Sequence, residues 1–139
     1  MRKKILTIGM VFIAIGAFGG WYYIFQYSKT HHRDVTSETA TIITASQIVK
    51  DFETNETTAN TNFLNKAIEL KGVVLKKDRD QAGNTTVTLK SGDPLANIFC
   101  TLKPGIRLQK GDSIIIVKGI CTGFLSDVVL NEAVVVNPK

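Results

Sequence analysis

Residues 5–27 run for 23 positions without a charged side chain. As a helix rising about 1.5 Å per residue, that run crosses the hydrocarbon core of a bilayer with some tilt to spare. Arg2, Lys3 and Lys4 precede it, while Trp21, Tyr22, Tyr23 and Tyr27 crowd its far end. Positive charge before an apolar run and an aromatic belt after it describe a helix whose amino end stays in the cytoplasm. The remaining 112 residues then lie on the periplasmic or extracellular side, and they suffice for one domain of modest size.

A cleaved signal peptide is the competing reading. Ala17-Phe18-Gly19 offers a small-x-small site after an apolar stretch of suitable length. The aromatic block beyond it fits an interface anchor better than a mature terminus, so a single-pass anchor over residues 1–27 is the expectation. No Cys stands near the site to make a lipoprotein leader. Gly16 and Gly20 form a G-x-x-x-G pair, which brings two membrane helices close enough to dimerise. Glycine is also simply common in such helices. A homodimer through this helix therefore stays a candidate beside that plainer account.

The charge balance speaks for location more than for a partner. The whole chain is +5, but residues 1–27 hold +3, residues 28–63 hold −2 and residues 64–139 hold +4. A mild excess of that kind is well short of the basic stripe of a nucleic-acid binder.

Residues 28–44 read as a linker off the membrane. His31 and His32, the only histidines, sit side by side within it with no further ligand at a useful spacing, so no metal site is expected. Thr44-Ala45-Ser46-Gln47 then fits a capping box, with Gln47 reaching back to Thr44, and Ile43 and Ile48 flank it as a staple. Ile48, Val49 and Phe52 give one apolar face, predicting a short helix over 45–54. Asn55 caps a second to about 64, with Ala59, Phe63 and Leu64 on its buried side.

After Lys66 the period becomes extended. Strands are predicted over 68–75, 85–89, 98–102, 113–121 and 127–136, with Gly72 marking a bulge or corner and a turn over 78–84. Five short, regularly spaced strands predict a mainly β domain: a five-stranded barrel preceded by a helical segment, for which the OB-fold is the leading architecture. An SH3-like barrel or a small sandwich fits the pattern as well.

Several runs carry a resemblance: Lys71-Gly72-Val73-Val74, Val87-Thr88-Leu89, Cys100-Thr101-Leu102 and Leu108-Gln109-Lys110-Gly111-Asp112. The most specific is Lys118-Gly119-Ile120-Cys121-Thr122-Gly123-Phe124, followed by Asp127-Val128-Val129-Leu130-Asn131. Over roughly residues 45–136 the chain resembles the bacterial tRNA-anti-like OB-fold proteins, many of which carry an amino-terminal membrane helix. The resemblance implies an OB domain over 45–136. Cys100 and Cys121 match cysteines of the family pattern. Outside the cytoplasm a disulfide between them is allowed if their Cα atoms lie within about 7 Å; otherwise they are two buried thiols acting as small hydrophobes.

Catalysis is not expected. The barrel has no imidazole to activate a nucleophile, and G-x-S-x-G, H-E-x-x-H, C-x-x-C and glycine-rich phosphate loops are all absent from the sequence. No cofactor is implied. OB barrels bind on the outward side of their second and third strands. Alternation puts Thr86, Thr88, Asn97, Phe99 and Thr101 outward, with Lys71 of the first strand beside them. A Phe among hydroxyls and a Lys suits a glycan, a peptide or a protein surface; the competing account has Phe99 covered by the helical segment. The expected function is thus a membrane-anchored, non-catalytic binding module of the cell envelope. A nucleic-acid binder and a structural envelope assembly protein are the alternatives, with nucleic acid the less expected partner.

Overall fold

The structure, a computed structural model, describes residues 2–27 and 34–136. These form two units that divide at Asp34 and Val35. In the first, helix α1 (Arg2–Tyr22) passes into one π-helical turn, Tyr23–Tyr27. Its stretch Thr7–Phe25, 19 residues, is long and apolar enough to cross a membrane and is nowhere buried within the fold. A signal sequence would look the same by these measures. Trp21 packs in tilted contacts against Phe18 and Phe25, with ring centroids 6.0 and 5.4 Å away.

The second unit is the barrel. Its elements are β1 (Thr41–Ile42), α2 (Ala45–Thr54), α3 (Glu56–Phe63), β2 (Ala67–Arg79), β3 (Thr85–Lys90), β4 (Ile98–Leu102), β5 (Ile114–Phe124) and β6 (Val128–Val136). The strand order β1-β2-β3-β4-β6-β5 closes through a further pairing of β2 with β5. All ladders of the closed barrel are antiparallel except β4 with β6. Five strands closed in this order are an OB-fold, with the edges that an open sheet would expose removed.

Closure depends on β2, which serves two neighbours. Its first half, Ala67 to Val73, pairs with β5, and its second half, Val73 to Arg79, pairs with β3. The strand bends between the halves, where a Cβ on Gly72 would stand 2.9 Å from Leu89 Cβ. Glycine is there for close approach, with the bulge itself two residues on, between Val74 and Lys76. A second irregularity falls in β6, where Glu132 takes φ 53° and the register against β5 shifts between Lys118 and Ile120. Opposite it, a Cβ on Gly119 would lie 3.1 Å from Ala133 Cβ. Bulges of this kind steepen the local twist and turn the corner of a small barrel.

The core is one cluster. Leu70, Val87, Leu89, Ile98, Leu102, Val117 and Leu130 fill the barrel, and Ile48, Val49 and Phe52 of α2 with Ala59 and Phe63 of α3 continue it. The helices stopper the end where β2 begins and β5 finishes. There Phe52 lies 6.0 Å from Phe63 and stacks on Phe124 at 5.5 Å. Thr44 caps α2 as expected, its Oγ1 accepting from the Gln47 N–H at 3.1 Å. The Gln47 side chain, however, donates forward to Asp51 Oδ1 at 2.6 Å instead of reaching back. Asn55 caps α3 through its Oδ1 and the Thr58 N–H, and Leu64 just beyond is 38% exposed.

Two expectations need correction. The linker read over 28–44 ends earlier, because the fold starts at Val35: that side chain is fully buried against Ala67 and Ile120. Lys118, itself only 9% exposed, donates through Nζ to the carbonyls of Thr36 (3.1 Å) and Glu38, and β1 pairs in parallel with Ile68 and Glu69. The strap is held by its backbone carbonyls and the apolar side chains of Val35 and Ala40, which leave no periodic signature. Residues 28–33, with His31 and His32, lie outside the described residues.

The second correction concerns the cysteines. Cys100 and Cys121 are free, buried thiols. Both pair with Leu130 of β6, one from each side. Two strand spacings around the wall separate their Cα atoms by about 8–10 Å, too far for a disulfide. Burial pushes the Cys100 thiol up to about 12 and raises that of Cys121 as well. Buried, neutral thiols behave as small hydrophobes.

Candidate binding face

The outward row of β3 and β4 is built by register. Thr88 stands opposite Phe99 and Thr86 opposite Thr101. On the other side of β3, Lys76 pairs with Thr88 and Asp78 with Thr86. These residues surround a shallow hollow of about 240 Å³ lined by Lys76, Asp78, Arg79, Asp80, Thr86, Thr88 and Phe99. Phe99, Thr88 and Thr101 are half-buried, whereas Thr86 is 5% exposed and lies at the floor. The helices contact β2 and β5, and Phe99 is outside the core that they complete. Its ring remains available on the face.

Of the six side chains expected there, four come together. Lys71 does not, and this is a correction. It pairs with Ile116 of β5 in the first half of β2 and lines a separate hollow with Asp112, Ile114 and Val136. The bend at Gly72 carries it to another side of the barrel. The Asn97 backbone is engaged beside the face: its N–H donates to Asp127 Oδ1 at 2.8 Å and its carbonyl accepts from the Val128 N–H at 3.0 Å. It locks the β3–β4 loop onto the β5–β6 loop.

In place of Lys71, β2 supplies Lys76 and Asp78, which the sequence pattern assigned to no site and to a turn. Lys76 Nζ lies 2.9 Å from Asp78 Oδ2 with both side chains largely exposed. The Lys76 hydrogen bond, assisted by the Arg79 N–H, holds the Asp78 carboxyl below the usual carboxylate range. Asp80 is held low by hydrogen bonds from the Asn84 side chain and Asn84 N–H, at 3.0 and 2.8 Å. Both acids are therefore ionised at neutral pH. The face combines one aromatic ring, hydroxyls, an ion pair, a second carboxylate and the Arg79 guanidinium. It can stack an apolar ring or chain on Phe99 and exchange hydrogen bonds around it. Among the described residues no group of three His, Cys, Asp or Glu gathers as a metal site.

A closed five-stranded barrel of this strand order is the architecture of an OB-fold. A model of the tRNA_anti-like family matches residues 1–134, and the chain belongs to that family. Among solved structures, the "putative nucleic acid-binding lipoprotein" of Klebsiella pneumoniae subsp. pneumoniae is similar, at 20% identity and a TM-score of 0.55. The match covers 69% of this chain and 92% of that one, and at this identity the likeness is one of fold. No curated protein sequence matches the chain.

Proposed function

We propose that the protein is a membrane-anchored, non-catalytic OB-fold module that presents its barrel on the non-cytoplasmic side of a bacterial membrane. Its ligand is a glycan, a peptide or a protein surface, taken on the outward face of β2, β3 and β4. The observation that carries this reading is Phe99, an aromatic ring left half-exposed among Thr88, Thr101 and the Lys76–Asp78 pair. Location rests on the positive amino end, the apolar stretch of α1 and its aromatic belt.

The test places a photo-crosslinking residue at position 99 of the full-length protein in native membranes, with a second copy probed at position 71. A discrete adduct from 99 and none from 71 supports the face. Adducts at both positions, or only at 71, sink it. A reporter fused after Lys139 and active only in the cytoplasm would overturn the topology.

Nucleic-acid binding is the second reading, favoured by the name of the structural neighbour. The charges of the face stand against it. Lys76 is spent on Asp78, Asp80 offsets the charge of Arg79 in the same hollow, and a single aromatic gives no stacking track for successive bases. Titrating the full-length protein in detergent with single-stranded DNA at two salt concentrations decides the matter, since binding to phosphates weakens steeply with salt.

A further inference from the structure

We propose that the barrel mouth opposite the helical stopper is an anion site that takes a phosphate group between Arg79 and Arg107, with Lys77 behind them. The proposal does not rest on Phe99, although Asp78 and Arg79 line both hollows. Along Lys76-Lys77-Asp78-Arg79-Asp80 the pleat sends alternate side chains to opposite rows, and one of the two rows holds cations alone. Lys76 and Asp78 share the outward row with Thr88 and Thr86, while Lys77 and Arg79 share the row of Val87 and Thr85. Lys77 Nζ donates to the Leu108 carbonyl at 2.8 Å. That bond pins the β4–β5 loop against the end of β2 and brings Arg107 alongside.

The result is a hollow of about 470 Å³ lined by Lys77, Asp78, Arg79, Thr85, Arg107 and Leu108. Its one carboxylate, Asp78, is already engaged by Lys76 at 2.9 Å and by the Arg79 N–H at 2.9 Å. Among the described residues no carboxylate pairs with either guanidinium. Three cationic side chains thus converge on a space where only a committed anion stands.

Two guanidinium forks suit a tetrahedral oxyanion, which accepts paired hydrogen bonds from each. The hollow is wider than a phosphate alone, so the group can be carried on a larger molecule. No aromatic ring lines it, as a run of nucleotides would require. The shared chemistry is a phosphate anion, free or on a lipid headgroup.

Isotope-labelled full-length protein in nanodiscs of uncharged phosphatidylcholine is titrated with inorganic phosphate and followed by two-dimensional NMR. Saturable shifts confined to the amides of Lys77, Arg79, Thr85, Arg107 and Leu108 are expected. Arg107→Gln and Arg79→Gln should each weaken the affinity about tenfold or more, and Lys50→Gln, on the exposed side of α2, should leave it unchanged. Nanodiscs containing phosphatidylglycerol, with no phosphate added, report the source. The same shifts there identify a lipid headgroup, and their absence beside a positive phosphate titration identifies a soluble phosphate. Shifts that never saturate, or that survive Arg107→Gln undiminished, overturn the site. Both Arg side chains are exposed, so the spectra of the variants should remain those of the folded barrel.

Discussion

At the end where β2 begins, two helices stopper the barrel with Phe52, Phe63 and Phe124. At the other end, among the described residues, the β4–β5 loop lays Ile106 and Leu108 on the core and holds Arg107 outside it. The first closure is apolar and interlocked. The second is a single loop with apolar side chains inside and Arg107 outside, tied down through the Lys77–Leu108 hydrogen bond. Small barrels have little core to spare, so a difference of this kind separates where stability resides from where a ligand can be accommodated without disturbing it.

The comparison is easiest to break from the stoppered side. Phe52→Ala removes a ring that is 2% exposed and in contact with two others. It should cost about 3–5 kcal/mol, read as a fall in denaturant midpoint of the barrel. If Arg107→Gln lowered the midpoint as far, the division between the ends would be wrong.

Next in size is an effect from the wall between the ends. Cys100 keeps its proton in the folded barrel up to about 12, against an ordinary value of 9.0. Between those values the unfolded chain releases a proton that the folded one retains, so stability falls as pH rises, by about 1.4 kcal/mol per unit. Cys100→Ala should flatten that alkaline slope relative to the parent. An identical slope in both would show that Cys100 is not dry.

Gly72→Ala tests the bend that lets β2 reach both neighbours. With the new Cβ 2.9 Å from Leu89 Cβ, a loss of about 1–3 kcal/mol is expected. Unchanged stability would mean that the two halves of β2 can shift apart freely.

The smallest effect belongs to the β2–β3 turn near the loop-covered end. Hydrogen bonds from Asn84 depress the folded Asp80 carboxyl below 3.8. Its contribution is therefore present above 3.8 and lost as pH falls through the lower folded value. Asp80→Ala should narrow the gap in melting temperature between pH 7 and pH 3 slightly, and a widened gap would contradict the assignment.

How much of this could be read from the chain differs by element. α2 and β4 coincide with their predicted bounds, because a Thr44 cap with a 3.6-residue apolar face, and a strict inward alternation, are both local patterns. β2 runs four residues past its predicted end. Lys76, Lys77, Asp78 and Arg79 look like turn composition, yet their backbone is fully paired with β3. For the same reason Thr88 and Phe99 were placed correctly as neighbours, while Lys71 was placed with them wrongly. Knowing that a side chain points outward does not say which side of a closed barrel it points from.

The amino-acid sequence alone determined the apolar amino-terminal helix, the two capped helices and the five barrel strands, each of which depends on periodicity and turn chemistry within a few consecutive residues. The OB-fold was its leading architecture beside an SH3-like barrel and a sandwich, favoured by resemblance to a family, and β1 left no signal. Only the tertiary structure decided that the fold begins at Val35, that Cys100 and Cys121 stand apart on either side of Leu130, and that Lys77, Arg79 and Arg107 meet at one mouth. Those outcomes rest on hydrogen-bond register between strands distant in the chain, and pairing energy at that range leaves no pattern in any single segment.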